Sequence, residues 1–170
     1  MNTNPKTSYN YEEILKFAKG ISGTNTESRL PLPGMLMIDR ITHISENSGK
    51  YGKGQIIAEL DINPDLWFFK CHFIDDPVMP GSLGFDGLLQ LTGFFLTHLG
   101  FTGKGRALGC AAIKFFGEVL PTSKKITYII DVKRIINLKL TMIIADGIMQ
   151  VDGNDIYTCE GMQVGILDKH

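Results

Sequence analysis

The stretch HFIDDPVMPGSLGFDGLLQ, residues 72–90, decides how the rest of this chain is interpreted. It joins a histidine and a turn rich in proline and glycine to a long apolar run. Pro80 and Gly81 mark the start of a helix, and Gly100 marks its end. Because apolar residues occupy nearly every face of the run Leu83–Leu99, we expect this helix to be buried all round.

Asp86 lies inside the apolar run, where an unpartnered carboxylate is costly to desolvate. It lies too far into the helix to be an N-cap. Burial among apolar side chains favours the neutral form of a carboxyl group, which can then donate a proton near pH 7. Gln90, four residues later, shares its helical face and can hydrogen-bond to it. Gly93 and Thr97 continue that face, which predicts a narrow groove of small and polar residues along the helix.

The residues in front of Asp86 supply two further groups for proton chemistry. His72 brings an imidazole, the side chain most often used as a base near neutral pH. Pro80 and Gly81 leave the first backbone N–H groups of the helix open, and with the helix dipole these can stabilise an anion. The combination indicates abstraction of a proton α to a carbonyl, with loss or relocation of a second group. We expect the apolar walls of the site to come from Trp67, Phe68, Phe69, Phe73, Phe85, Phe94 and Phe95.

Strand signals surround this helix. MLMIDRITHI (35–44) and YGKGQIIAEL (51–60) predict a hairpin around a polar turn. Strands outnumber helices and show no βαβ alternation, so we predict the α+β class, with an antiparallel sheet wrapped around one long buried central helix. Four more β-rich segments follow the helix, at 106–119, 124–135, 139–151 and 156–167.

The length of 170 residues predicts a single domain over residues 1–170. Residues 1–28 would form an N-terminal helix and extension. Ser8 or Asn10 can cap that short helix, which would run through Lys19.

Bulk composition argues against several classes of function. The chain is 44% hydrophobic and 21% charged, which is ordinary for a globular domain, and its net charge of -1 gives no reason to expect nucleic acid or an anionic membrane as partner. Cys71, Cys110 and Cys159 form an odd set without metal-pair spacing, which favours a reducing, cytoplasmic location. The polar N-terminus does not resemble a secretory signal, and the interrupted apolar run is short for a bilayer span.

Two other interpretations of possible sites are weaker. His72, Asp75 and Asp76 offer ligands for a divalent metal ion, but no second histidine follows at a ligand spacing. The Asp75-Asp76-Pro77 sequence is more simply a turn. GKGRALG (103–109) loosely resembles a phosphate-binding glycine loop, but its spacing fits neither the dinucleotide fingerprint nor the P-loop. We interpret it as a loop from the buried helix into the next strand.

The residues around the buried helix resemble a known family. WFFKCHFIDDPVMPGSLGFDGLLQLTGFFL (67–96) is similar to the signature of the bacterial β-hydroxydecanoyl acyl-carrier-protein dehydratase/isomerases, hotdog-fold enzymes of type II fatty acid synthesis. LPGMLMIDRI, AELDINPDLWFF, GKGRALG and VLPTSKKITYII also fit, so the resemblance covers roughly residues 30–167. The related dehydratases without isomerase activity usually have Glu where Asp86 stands, which favours the bifunctional branch.

This resemblance implies a role for each site residue. His72 would remove the C2 proton of a 3-hydroxyacyl thioester, and Asp86 would assist loss of the 3-hydroxyl group as water. Gly81 would donate its N–H to the thioester oxygen, and the Val78 carbonyl would orient the imidazole. Isomerisation would reuse His72 to move a proton between C4 and C2, which converts trans-2-decenoyl to cis-3-decenoyl thioester.

The resemblance also implies partners. The enzyme would be a homodimer with sites at the subunit interface, with His72 from one chain and Asp86 from the other. Its substrate, of about ten carbons, would be carried on acyl carrier protein, and no metal or organic cofactor would be needed.

The chain departs from the family pattern at three places. Ser82 stands where relatives have Cys, and we expect the chemistry to survive this change. Asp75 stands where relatives have Gly and adds charge beside the pocket. Leu138 and Lys139 replace an arginine pair that would meet the acidic carrier protein. Neighbouring cations could compensate for that loss, namely Lys124, Lys125, Lys133 and Arg134.

Three competing functions stay open at this point. A hotdog thioesterase would use the same helix N-terminus while water attacks the thioester. A dehydratase could lack the isomerase activity. An acyl-chain-binding module would keep the pocket without turnover.

Overall fold

The computed structural model describes residues 6–23 and 27–167. Parts of the predicted domain (1–170) and N-terminal extension (1–28) therefore lie outside the described residues. The helices are α1 (Tyr11–Lys19), a 3₁₀-helix (Trp67–Lys70) and α2 (Gly81–His98). The strands are β1 (Arg40–Ser45), β2 (Gln55–Asp61), β3 (Lys104–Gly109), β4 (Ala112–Phe115), β5 (Lys125–Asn137), β6 (Thr141–Val151) and β7 (Asn154–Leu167).

The strands form one antiparallel sheet that packs against α2. Its order is β1-β2-β5-β6-β7-β3, and β4 pairs with β7 beside β3. α2 contacts β5, β6 and β7 at the centre of the sheet. The predicted α+β class and the hotdog arrangement of a sheet around one buried helix are confirmed.

The core lies between α2 and the inner face of the sheet. β5 buries every second side chain, from Ile126 through Val132, as expected for a strand with one face inward. On α2, Leu88, Leu91 and Leu96 have no exposed surface. Burial on several sides explains the nearly continuous apolar sequence of this helix. None of the helices in the described ranges is long and apolar enough to cross a membrane.

α1 forms where its capping signals predict it. The Asn10 side chain accepts a hydrogen bond from the Glu13 N–H at 3.0 Å, and the Glu13 carboxylate accepts one from the Asn10 N–H at 2.9 Å. This reciprocal pair makes Asn10, rather than Ser8, the N-cap. Gly20 ends the helix at φ 70°, in the left-handed region that glycine adopts without strain.

The predicted hairpin is shorter than its sequence pattern suggested. The first strand begins at Arg40 rather than residue 35, and the second at Gln55 rather than residue 51. Backbone groups at Met35 and Met37 bond to a glutamine side chain of α2 instead of a neighbouring strand. Residues 46–54 form turns, because several glycines there have positive φ angles that do not fit a strand.

The region after α2 also differs from prediction. Residues 104–109 form the edge strand β3 and not a loop, because this segment pairs with the end of β7. The predicted single segment 106–119 is divided into β3 and β4 by Cys110 and Ala111. At this break Gly161 of β7 has a φ of 61°, and its Cβ position lies 3.1 Å from the Ala111 Cβ.

Two tyrosines of the sheet lie directly against glycines of α2. A Cβ atom on Gly87 would lie 2.6 Å from the Tyr128 hydroxyl oxygen, and one on Gly84 would lie 2.5 Å from the Tyr157 ring. The helix therefore approaches the sheet more closely than alanine would allow. Tyr128 is fully buried, and its hydroxyl has no hydrogen-bond partner in the described part of the chain. Burial raises the pKa of Tyr128 well above its ordinary value.

Removing the Tyr128 hydroxyl is expected to leave the free energy of unfolding unchanged or to raise it by about 1 kcal/mol, because a buried unpaired hydroxyl is unfavourable. Tyr9 provides the matched control, since its hydroxyl lies 2.9 Å from His98 Nδ1. Tyr9→Phe should lower the free energy by about 1 kcal/mol. Urea unfolding of both variants measures the difference. If Tyr128→Phe lowers the free energy of unfolding as much as Tyr9→Phe does, the Tyr128 hydroxyl is hydrogen-bonded in solution.

Candidate active site

His72 lies in the segment between the 3₁₀-helix and α2. Its N–H donates to the Phe68 carbonyl at 3.0 Å, and its own carbonyl accepts from the Val78 N–H at 2.8 Å. Its Nδ1 lies 3.0 Å from the Val78 carbonyl oxygen, which is the contact that the sequence resemblance implied. Because a carbonyl only accepts hydrogen bonds, Nδ1 carries the proton and Nε2 keeps its lone pair. The half-buried imidazole is therefore oriented with Nε2 as its basic atom.

The residues after His72 form the turn that Asp75-Asp76-Pro77 predicted. The backbone groups of Phe73 and Asp76 bond to each other in both directions, at 2.8 and 3.3 Å. Asp75 has a φ of 62°, in the region that favours glycine, and both aspartates are exposed. The backbone therefore has a glycine-like conformation at the position where this chain carries Asp75.

The first backbone N–H groups of α2 have no side-chain cap, although aromatic side chains pack closely against Gly81. Pro80 occupies the N-cap position. A Cβ atom on Gly81 would lie 3.2 Å from the Phe115 ring and 3.4 Å from the Tyr157 hydroxyl oxygen. Burial raises the pKa of Tyr157 to about 12, so this hydroxyl stays protonated at neutral pH. The uncapped N–H groups of the first turn can stabilise negative charge.

The side chains of Asp86 and Gln90 are joined as predicted. Gln90 Nε2 donates to Asp86 Oδ2 at 2.6 Å and to the Met35 carbonyl at 2.8 Å, while its Oε1 accepts from the Met37 N–H at 3.1 Å. Both N–H donors of this amide are therefore used, and its oxygen accepts one bond. Because Oδ2 accepts from Gln90, a proton on the carboxyl group resides on Oδ1. The expected burial of Asp86 among apolar side chains is incomplete in the single chain, where Asp86 is half-buried.

A pocket of about 190 Å³ runs along one face of α2. Four residues of that face line it in sequence order, namely Asp86, Gln90, Gly93 and Thr97. The predicted groove of small and polar residues is thus the floor of a pocket. Its other walls come from segments distant in sequence and include Phe17, Leu30, Val164 and Ile166. Arg29 and Arg106 also line it, and both are exposed.

Several predicted wall residues lie elsewhere. Trp67 is 44% exposed and donates its indole N–H to the Gly34 carbonyl, and Phe73 is 55% exposed beside His72. Phe94 lines the pocket, while Phe68, Phe69 and Phe95 belong to the core. The sequence pattern could not separate these roles, because a buried aromatic and a pocket-lining aromatic have the same hydrophobicity.

The single chain does not bring His72 and Asp86 into one pocket. Among the described residues, His72 is absent from the lining of the pocket that contains Asp86. Next to this pocket, the whole of β3 is exposed at the edge of the sheet. Such an edge presents unpaired backbone groups to a further strand. Exposed apolar side chains are present on the same part of the chain, at Leu108, Phe115 and Phe116.

Residues 30–160 match the FabA-like domain family. That match spans most of the chain and includes His72, Gly81, Asp86 and the whole of α2.

Solved structures with a similar fold come from several bacteria. The dehydratase heterocomplex ApeI:P from Xenorhabdus doucetiae is 13% identical, with a TM-score of 0.59 and coverage of 81% of this chain and 87% of that chain. Cj0977 from Campylobacter jejuni, a sigma28-regulated virulence protein, is 10% identical, with a TM-score of 0.55 and 82% of both chains covered. A hypothetical thioesterase from Streptococcus pneumoniae TIGR4, solved with coenzyme A, is 11% identical, with a TM-score of 0.51 and coverage of 76% and 86%. At these identities the similarity concerns the fold alone.

Proposed function

The chain belongs to the FabA-like domain family, and from this membership we propose that it dehydrates 3-hydroxyacyl thioesters carried on acyl carrier protein. The observation that carries the proposal is the Asp86 carboxyl group, held by Gln90 at the floor of a pocket with both apolar and polar walls. We further propose that it isomerises trans-2-decenoyl to cis-3-decenoyl thioester. Asp86, in place of the Glu usual in dehydratases without this activity, supports the second step.

In the proposed dehydration, His72 Nε2 takes the C2 proton of the substrate. The electron pair of that C–H bond moves toward the thioester carbonyl, whose oxygen becomes negative. The Gly81 N–H and the dipole of α2 stabilise this oxygen. The C3–O bond then breaks while Asp86 Oδ1 passes its proton to the leaving hydroxyl, so that water and the trans-2-enoyl thioester form. The imidazolium proton returns to the Asp86 carboxylate through solvent.

The proposed site is completed by a second subunit. His72 Nε2 of one copy would face Asp86 of the other, because no histidine of the described residues lines the pocket that contains Asp86 in the single chain. The exposed edge strand β3, beside the pocket, supports pairing between two copies at this edge. We propose a homodimer with two such sites.

The carrier protein would be met by cations at the surface of the chain. Of the four cations expected to compensate for the missing arginine pair, two are already paired with acids. Lys125 Nζ lies 2.7 Å from a Glu59 carboxylate oxygen, and Lys133 Nζ lies 3.0 Å from one of Asp146. We therefore propose that Lys124 and Arg134 supply more of the attraction to an acidic carrier.

Incubation with a 3-hydroxydecanoyl thioester tests the reaction type. We expect loss of water, with an enoyl thioester as the product and no free thiol. Product analysis by mass spectrometry and a thiol reagent separates the alternatives. Release of thiol at the rate of substrate loss would show hydrolysis and would overturn the dehydratase proposal, while binding without turnover would indicate a carrier of acyl chains.

Incubation with trans-2-decenoyl thioester tests the isomerase step. We expect cis-3-decenoyl thioester, because His72 can return a proton to C2 after removing one from C4. If dehydration proceeds and no cis-3 product forms, the bifunctional proposal is wrong and the protein is a dehydratase only.

A further inference from the structure

We infer that Phe17 of α1 closes the end of the pocket remote from Asp86 and so limits the length of acyl chain that the pocket accepts. This inference rests on the proposed function, because it takes the substrate to be an acyl thioester that reacts at Asp86. It adds a residue that determines specificity and that lies outside the segment 72–90.

The position of Phe17 along the pocket follows from its contact with α2. Its ring lies 4.9 Å from that of Phe94 at an interplanar angle of 86°, an edge-to-face contact. Both rings line the pocket. Phe94 is eight residues beyond Asp86 on the same helix, which at 1.5 Å per residue is about 12 Å. Phe17 therefore lies beside the C-terminal half of α2, about 12 Å along the pocket from the proposed reacting group.

This distance corresponds to an acyl chain of medium length. Carbon–carbon bonds of roughly 1.5 Å advance about 1.25 Å each along an extended chain. With C3 beside Asp86, the seven bonds to C10 span about 9 Å, which fits within the roughly 12 Å to Phe94. The eleven bonds to C14 span about 14 Å and would meet the two rings.

The Phe17 ring is held in place from outside the pocket. Tyr9 packs edge-to-face on both rings, with centroids 5.7 Å from Phe17 and 5.1 Å from Phe94. The Tyr9 hydroxyl lies 2.9 Å from His98 Nδ1, and burial lowers the pKa of His98, which favours the neutral ring as acceptor. A fixed aromatic cluster therefore docks α1 on the C-terminal half of α2.

The other apolar walls of the pocket come from elements other than α1. Val164 and Ile166 belong to β7, and Leu30 belongs to the segment before β1. Within the described part of the chain, Phe17 is the sole residue of α1 in the pocket lining. Its side chain can therefore be changed with little effect on the floor that carries Asp86.

Replacing Phe17 with alanine tests the inference. The variant should raise the ratio of kcat/KM for the C14 3-hydroxyacyl thioester to that for the C10 compound by at least about tenfold. Phe17→Trp should have the opposite effect. It should lower the ratio of kcat/KM for the C10 3-hydroxyacyl thioester to that for the C8 compound. Leu15→Ala is the matched control, because Leu15 is also a partly buried α1 residue packed on the core but does not line the pocket. It should leave both ratios unchanged.

The outcomes separate this inference from the proposed function. If the wild-type protein dehydrates its substrates and the chain-length ratios are the same in the Phe17 variants, Phe17 does not limit length. If the wild-type protein dehydrates none of these substrates, the proposed function is wrong. The inference about Phe17 is then tested by measuring the binding of acyl chains. Displacement of a fluorescent fatty acid by saturated acyl thioesters of eight to sixteen carbons should then favour C14 in Phe17→Ala relative to wild type. Equal length preference in the two proteins would overturn the inference.

Discussion

Replacing His72 with alanine should lower kcat/KM for dehydration of a 3-hydroxydecanoyl thioester by about 10²–10⁴-fold, the range expected for loss of a positioned base. The Val78 carbonyl binds Nδ1 and leaves Nε2 as the basic nitrogen, and alanine offers no substitute. Asp86→Asn should cause a loss of similar size, because a carboxamide keeps the shape of the carboxyl group and has no acidic proton to transfer. Steady-state rates with purified variants measure both effects.

Folding controls are needed for this result. Circular dichroism and urea unfolding should be close to wild type, since His72 and Asp86 are only partly buried and lie outside the core. His43→Ala is the control for loss of a histidine, because His43 lies on β1 and contacts Ser48 at 3.3 Å. It should keep wild-type activity. Near-full activity in His72→Ala or Asp86→Asn would mean that the proposed roles are wrongly assigned.

Mixing the two inactive variants should restore about a quarter of the wild-type activity. If each site takes His72 from one chain and Asp86 from the other, a heterodimer of the two variants contains one intact site and one site that lacks both groups. Random exchange of subunits makes about half of the dimers heterodimers, and half of their sites are intact. The expected gain is large, because the starting activity of either variant is near zero.

The experiment requires subunits that exchange, which mild denaturation and refolding of the mixture provides. Each variant refolded by itself is the control and should remain inactive. A refolded mixture that stays inactive, although size measurements confirm dimers, would place both groups of a site in the same chain. That result would contradict the shared site but not the proposed dehydration reaction.

The sequence predicted the centre of this molecule well. Proline and glycine set the ends of α2, and its apolar faces required burial on several sides. The spacing of Asp86, Gln90, Gly93 and Thr97 placed them on one face, and they form the floor of the pocket. These features depend on contacts within one helix or on local backbone conformations. The resemblance to a known family supplied the contact between His72 and Val78, which spacing alone did not indicate.

The remaining walls could not be predicted from local patterns. Phe17, Leu30 and Val164 meet at the pocket from three segments that are far apart in sequence. Hydrophobic patterning shows that such side chains are buried but not which of them face a cavity. Strand limits failed for a related reason, since the backbone of Met35 and Met37 is bonded by the Gln90 side chain. No periodicity reports a long-range contact of that kind.

The hydrogen bonds of the Gln90 amide restrict insertions and deletions in the segment before β1. The amide binds the backbone, and not the side chains, of Met35 and Met37, so this contact depends on the path of the chain and not on the two side chains. Met37 is nevertheless constrained by burial in the core, whereas Met35 is not. A substitution at the half-exposed Met35 should have little effect on stability or activity. An insertion or deletion of one residue nearby would move the two backbone partners, turn the amide, and rotate the Asp86 carboxyl group with it. The length of the segment before β1 is therefore constrained as well as its buried residues, and only its exposed positions, such as Met35, can vary in side chain.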